Sequence, residues 1–213
     1  MKSDNSVSKY ITGLYAVEDP VLKTVRENTP LKGLPAIHIR PEEGHFLQVL
    51  VRASKAKNVL EIGTLGGYSG IWIARGLVPE GKLTTLEVDP HHAAVAREHF
   101  ALAGLLDKVE IRVGDAHQSL IDLSTQGPFD FVFIDAEKPG YTDYFIWCMT
   151  NVAQGGVITA HNVLRRGDVA DPDNQEDRVL MMREFNQIVA DEGRVISTIY
   201  PAGDGMLVAV KVS

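Results

Sequence analysis

The spacing of apolar residues changes character near residue 58. Upstream it is helical. Asp19-Pro20 precedes Val21, Leu22 and Val25, which reads as a capped start with proline where its missing N–H costs little. Pro30 to Pro35 interrupts the pattern, and Pro41-Glu42-Glu43 opens a second helix carrying Phe46, Leu47, Leu50 and Val51 at helical spacing.

From residue 58 onward, short runs rich in Val, Ile, Leu and Phe alternate with helical patterns. The runs are Asn58–Ile62, Lys82–Val88, Val109–Val113, Phe129–Ile134 and Val157–Ala160. Tyr68–Leu77, Pro90–Ala103 and Gly140–Val152 suit helices between them. This alternation predicts an α/β fold, a doubly wound parallel sheet with helices on both faces. Arg194–Tyr200 and Met206–Val212 are two further strands separated only by Pro201-Ala-Gly-Asp-Gly205. So short a link fits an antiparallel hairpin, because a parallel crossover needs more chain. Arg165–Arg178 is polar and acidic, and is expected to be a mobile surface loop near the working end of the sheet. The whole reads as one domain over 1–213, with a helical region at 1–55 and an α/β core at 56–213.

Composition narrows the function classes. The 213 residues include 28 Asp and Glu against 21 Lys and Arg, a net charge of −7, which disfavours a main role in gripping a phosphate backbone. Cys148 is the one cysteine, so neither an internal disulfide nor a cysteine zinc site is expected. MKSDNSVSKY lacks the apolar core of a signal peptide, and no uncharged run approaches the roughly 18 residues of a membrane span. A cytoplasmic, soluble protein is the expectation.

The first strand runs into Glu61-Ile-Gly63-Thr-Leu-Gly66-Gly67-Tyr-Ser69-Gly70. Leu65 and Tyr68 stand where the dinucleotide fingerprint would need glycine, and no Gly-Lys-Ser/Thr follows as in a P-loop. Alone, these glycines describe an ordinary strand-to-helix turn. The second strand, however, ends at Glu87-Val-Asp89, placed to accept hydrogen bonds from ribose hydroxyls. Together they favour an adenosine-type ligand that makes no demand for phosphate binding.

With these stretches in view, the chain resembles the class I S-adenosylmethionine-dependent O-methyltransferases of the cation-dependent catechol and caffeoyl-coenzyme A type. The likeness runs through Glu61–Gly70, Leu86-Glu87-Val-Asp89, Gly114-Asp115-Ala116, Phe129–Ile134 with Asp135-Ala-Glu-Lys138-Pro-Gly-Tyr141, and Gly155–Ala160 with His161-Asn162-Val. Ile39-Arg-Pro-Glu-Glu-Gly44 and Pro201–Gly205 extend it over nearly the whole chain. The resemblance implies a Rossmann-like, mostly parallel seven-stranded sheet with an antiparallel C-terminal strand and N-terminal helices. It implies S-adenosylmethionine held by Ile39, Glu61, Gly63, Ser69, Glu87, Ala116 and Asp135. It further implies a divalent cation on Asp135, His161 and Asn162, Lys138 as catalytic base, a small aromatic acceptor and a homodimer.

The chemistry asks for such groups. Methyl transfer from sulfonium to oxygen is an in-line displacement, and a phenol with a pKa near ~10 attacks poorly until it loses its proton. A cation on two adjacent hydroxyls acidifies and positions the oxygen. A lysine with a lowered pKa can take the proton. Taken singly, Asp135 could merely cap a helix and Lys138 could be a solvated loop residue; taken together, they favour catalysis.

The resemblance has two departures. The family carries Asp where this chain has His161, so a bound cation would tend toward Mn²⁺, Co²⁺, Ni²⁺ or Zn²⁺ rather than Mg²⁺. The other possibility is a metal-independent enzyme in which His161 is itself a catalytic base. Arg165-Arg166 stands where relatives often have an aromatic residue; Arg165 either meets an anionic substrate or pairs with the acidic loop beside it, the second being favoured. Of the other histidines, His91 and His92 read as surface, His38 could contact cofactor or substrate, and His117 reads equally as flanking the purine or as a solvated helix start. Tyr68 could pack near its tail, and Trp147 and Cys148 read as core or interface. The leading function is O-methylation of a vicinal dihydroxy aromatic. A hydroxyuridine methyltransferase of transfer RNA, and an adenosylmethionine-binding protein without catalysis, are the competitors.

Overall fold

The computed structural model describes residues 4–213. Three helices lead: α1 (Asp4–Leu14), α2 (Pro20–Leu31) and α3 (Pro41–Ala53). Asp19 caps α2, its Oδ1 accepting from the Leu22 N–H at 2.9 Å, with Pro20 in the first turn. Pro30 falls inside the last turn of α2, so the expected break begins only after Leu31. In α3 the third residue, Glu43, reaches back to accept the Arg40 N–H at 2.7 Å, which satisfies a donor that the helix leaves open. Leu47 and Val51 of α3 are fully buried.

The core follows as β1 (Asn58–Ile62), α4 (Tyr68–Gly76), β2 (Lys82–Glu87), α5 (Pro90–Leu102), β3 (Val109–Val113), α6 (Ala116–Leu123) and β4 (Phe129–Ile134). After it come α7 (Tyr141–Asn151), β5 (Val152–His161), α8 (Asp177–Asp191), β6 (Val195–Tyr200) and β7 (Met206–Lys211). The seven strands lie in the order β3-β2-β1-β4-β5-β7-β6. β7 runs antiparallel to both of its neighbours, β5 and β6. Along β4, Phe131 and Phe133 enter one apolar cluster with Trp72 and Phe100, while Val132 and Ile134 enter another with Tyr141 and Phe185. That alternation is the period of two expected of a strand covered on both faces. Ile62 pairs with Leu86 and with Ile134, so β1, β2 and β4 end side by side at the switch point where open α/β sheets bind ligands.

Three features depart from expectation. β5 begins at Val152, not Val157, and carries Gly155 at φ 81° with a register shift opposite Phe129–Phe131. α8 had not been expected, and α6 only through the reading of His117 as a solvated helix start; in α8 the apolar residues Val179, Met182, Phe185 and Val189 do fall at helical spacing, behind an acidic approach. The segment expected to be a mobile loop is anchored. It forms a 3₁₀ turn at Arg165–Ala170, and Arg183 donates to the carbonyls of Val169 and Asn174, both at 2.9 Å, and of Asp171. Among the described residues, no helix is long and apolar enough to cross a membrane.

Candidate functional site

Where β1 ends, the backbone turns at Gly63 (φ 100°). A Cβ there would lie 2.3 Å from the Asp135 carbonyl oxygen, so only glycine lets the β1 and β4 ends approach this closely. Glu61, just before the turn, is fully buried. Its carboxyl accepts from Ser69 Oγ at 2.5 Å and Thr85 Oγ1 at 2.7 Å, so it ties the loop to the first turn of α4 and to β2. Burial pushes this carboxyl up to about 7, against the hydroxyl bonds that pull it down.

A group whose folded pKa lies above its unfolded value contributes stability at low pH. That contribution is lost as pH rises through the folded value. Glu61→Gln, always neutral, is therefore expected to gain stability relative to wild type as pH rises from 4.5 through the folded value of about 7, with no further gain well above it, read from denaturant midpoints. A pH-independent difference would contradict the assignment.

Glu87 closes β2. Its oxygens accept from the Leu65 N–H at 2.7 Å and the Asp89 N–H at 3.0 Å. Asp115 caps α6 by accepting from the Gln118 N–H at 3.0 Å, which sets Ala116 at the helix start. Ile39 enters from the chain ahead of α3. Ile39, Gly63, Ser69, Glu87, Ala116, Asp135, Lys138 and Asn162 all line one cleft of about 1680 Å³. That exceeds the roughly 300–1,000 Å³ of a single-ligand pocket and leaves room for a cofactor beside an acceptor. Glu61 and His161 are not on its wall. Glu61 instead supports the loop from beneath. His38 reaches the cleft and packs on Tyr68 at 5.2 Å, while the Tyr68 hydroxyl donates to Glu18 at 2.9 Å. His117 packs on Tyr144 at 4.9 Å.

The reactive corner forms where β4 and β5 end. Lys138 Nζ lies 3.4 Å from Asp135 Oδ1 and 2.5 Å from the Tyr141 hydroxyl. Tyr141 is buried and donates in turn to the carbonyl of His161 at 3.0 Å or of Ile134 at 3.2 Å. Burial pushes the Lys138 ammonium down, more than Asp135 pulls it up.

His161 sits between two carboxylates. Its Nδ1 is 3.2 Å from Asp135 Oδ2 and its Nε2 is 3.0 Å from Glu43 Oε1. Burial pushes the imidazole down, yet the hydrogen bonds and charges of Asp135 and Glu43 outweigh it and raise the pKa to about 9. Burial also pushes Asp135 up, and His161 with Lys138 more than offsets it, which holds the carboxyl below its ordinary range.

Donor chemistry decides whether this corner fits the expected cation. A metal needs a lone pair on an imidazole nitrogen, and both nitrogens of His161 are turned to carboxylates. The Asn162 amide donates to Asp204 at 3.2 Å. Among the described residues, no group of three or more His, Cys, Asp or Glu is arranged to hold an ion. Asp135, His161 and Asn162 therefore do not fit a ligand set. The same geometry removes His161 as a base on the acceptor, since it is off the cleft wall and has no open nitrogen.

Sequence reasoning missed Glu43 as a site residue and gave Tyr141 no role. Pro41-Glu42-Glu43 marked a helix start, but nothing local to Glu43 points to His161. Gly203 marks the contact: with φ 61°, a Cβ there would overlap Glu43 Oε1 at 1.8 Å.

Comparison with known proteins places the chain in a family. A family profile described as O-methyltransferase matches residues 12–212. The chain is 43% identical over 212 residues to a catechol O-methyltransferase of Niastella koreensis, spanning 96% of both chains. It is 37% identical over 208 residues to a catechol O-methyltransferase of Mycobacterium tuberculosis, spanning 96% of this chain and 94% of that one. An O-methyltransferase from Bacillus cereus, solved with SAH, superposes with a TM-score of 0.91 at 39% identity over 99% of each chain. The O-methyltransferase TomG of Streptomyces achromogenes, involved in tomaymycin synthesis and solved with SAM, gives 0.89 at 36% identity, over 100% of this chain and 98% of that one. A glycine turn against a strand-end acid, a lysine at the next strand end and likeness along the full length agree: the chain belongs to this O-methyltransferase family and is an S-adenosylmethionine-dependent O-methyltransferase.

Proposed function

We propose that the acceptor is a small aromatic with two adjacent hydroxyls, and that Lys138 takes the proton from the hydroxyl that is methylated. The placement of Lys138 carries the proton-transfer part of this reading, and the likeness to two catechol O-methyltransferases supports the adjacent hydroxyls. Lys138 lies on the cleft wall with a depressed pKa, beside Asp135 and the Tyr141 hydroxyl. Depression raises the fraction of neutral amine able to accept a proton.

The phenol O–H breaks and its proton moves to Lys138 Nζ. The phenolate oxygen then attacks the sulfonium methyl carbon. A C–O bond forms, the C–S bond breaks with its electron pair going to sulfur, and S-adenosylhomocysteine and an aryl methyl ether remain. Asp135 holds the lysine, and Tyr141 gives its ammonium a second partner. No step runs through a divalent cation, because the imidazole nitrogens that would bind one already face Glu43 and Asp135. His161 bridges those carboxylates instead and steadies Asp135 from the side away from the cleft.

Acids such as Glu87, Asp115, Asp143 and Asp204 interleave with the arginines on the cleft wall, which supports a small molecule over transfer RNA. The test is product analysis by mass spectrometry after incubation with S-adenosylmethionine and either catechol or phenol. Monomethylated catechol, with phenol a far poorer acceptor, is the expected result. No transfer to catechol would overturn the reading.

A further inference from the structure

The wall of the cleft holds an arginine that forms no ion pair among the described residues. Leu164, Arg165, Arg166 and Asp204 form part of that wall. The turn is built from left-handed residues, Arg165 at φ 50°, Arg166 at 57° and Gly167 at 94°, and is closed by the Gly167 N–H donating to the Leu164 carbonyl at 2.9 Å. Non-glycine residues in that region each cost on the order of 1–3 kcal/mol, so the shape is held by its surroundings.

The expected pairing of Arg165 with the acidic stretch does not occur: among the described residues its side chain makes no ion pair with Asp168 through Asp177. Its Nε is buried without a hydrogen-bond partner. Asp204, the acid across the turn, accepts from the Arg166 N–H and the Asn162 amide instead.

A half-buried guanidinium with open donors is costly unless something anionic meets it. Its position limits what that is. Arg165 and Lys138 line the same cleft, so one small molecule can meet both, and the arginine's charge adds to the downward push on the lysine. The fork of a guanidinium matches a carboxylate with two parallel hydrogen bonds. Asp168 and Asp204 on the same wall favour a monoanion over a phosphate.

We propose that Arg165 binds a carboxylate on the acceptor, so that the preferred substrate is a catechol whose ring also bears an acid group away from its hydroxyls. This rests on the catechol reading above and adds the residue that selects among catechols. A carboxylate there supplies the ion-pair partner that Arg165 lacks and sets which hydroxyl is presented to Lys138.

The experiment compares protocatechuate, its methyl ester and the corresponding coenzyme A thioester, in wild type, Arg165→Ala and Arg165→Lys. A charge-assisted pair predicts a wild-type kcat/KM ratio of acid to ester of roughly 10–100, expressed mainly in KM. In Arg165→Ala that ratio collapses toward one, and Arg165→Lys retains part of it. A wild-type ratio near one, a preference for the thioester, or an Arg165→Ala enzyme that keeps the wild-type ratio would overturn the assignment while leaving catechol methylation standing. No transfer to any of the three would remove the catechol reading and this inference together.

Discussion

Replacing Lys138 with alanine lowers kcat by ~10²–10⁴-fold, the usual worth of a positioned base, while the affinity for S-adenosylmethionine stays unchanged. The expectation comes from where the ammonium sits. It contacts Asp135 Oδ1 at 3.4 Å and the Tyr141 hydroxyl at 2.5 Å, and it faces the cleft. Without it the acceptor must ionise unaided, so the deficit should shrink as pH approaches the phenol pKa of about 10. Single-turnover rates from about pH 7 to about pH 10 check this. A purely structural role would lower the rate by the same factor at every pH. Lys138→Arg should not rescue, because a guanidinium stays protonated throughout.

The second large effect is on stability. His161→Ala leaves Glu43 buried without its partner, and both side chains are almost wholly enclosed, at 6% and 4% exposure. Removing one member of a buried charged pair costs about 3–5 kcal/mol, to be read from urea unfolding with Glu43→Gln as the second arm of a double-mutant cycle. The glutamine keeps an oxygen for the Arg40 N–H, so the α3 cap survives and the cycle isolates the bridge. Coupling near zero would mean that the contact is incidental. His161→Asp is the informative companion. It would set three carboxylates together, and like charges in one site repel unless a cation joins them. That variant is expected to be less stable than wild type and to be restabilised by Mn²⁺ or Mg²⁺, a response that wild type lacks.

Much of the fold was legible because the strands are buried on both faces and their composition announces it. Phe129–Ile134 is apolar at nearly every position, and the glycine at 63 and acid at 87 fall where β1 and β2 end. α8 was obscured by the charged residues that precede and interleave with its apolar face. At the site, the lysine and both strand-end motifs stood out in the sequence, but their roles came only through the family resemblance. The Glu43–His161 contact could not be read at all, since it joins residues 118 apart and depends on how α3 lies across the sheet. The substitution at 161 was visible as a departure, but its consequence was not: a ligand change and an internal ion bridge look the same until the orientation of the ring is known. Arg165 teaches the same point, because proximity in sequence to the acidic stretch suggested a pairing that the structure does not form.

The most direct measurement of the central claim is methyl transfer to catechol by enzyme stripped with a chelator and verified metal-free by elemental analysis. Transfer at an undiminished rate, unaffected by added Mg²⁺, Mn²⁺ or Co²⁺, is what Lys138 acting beside a His161-braced Asp135 predicts. Loss of turnover on stripping, with recovery on adding one of those ions, would contradict it.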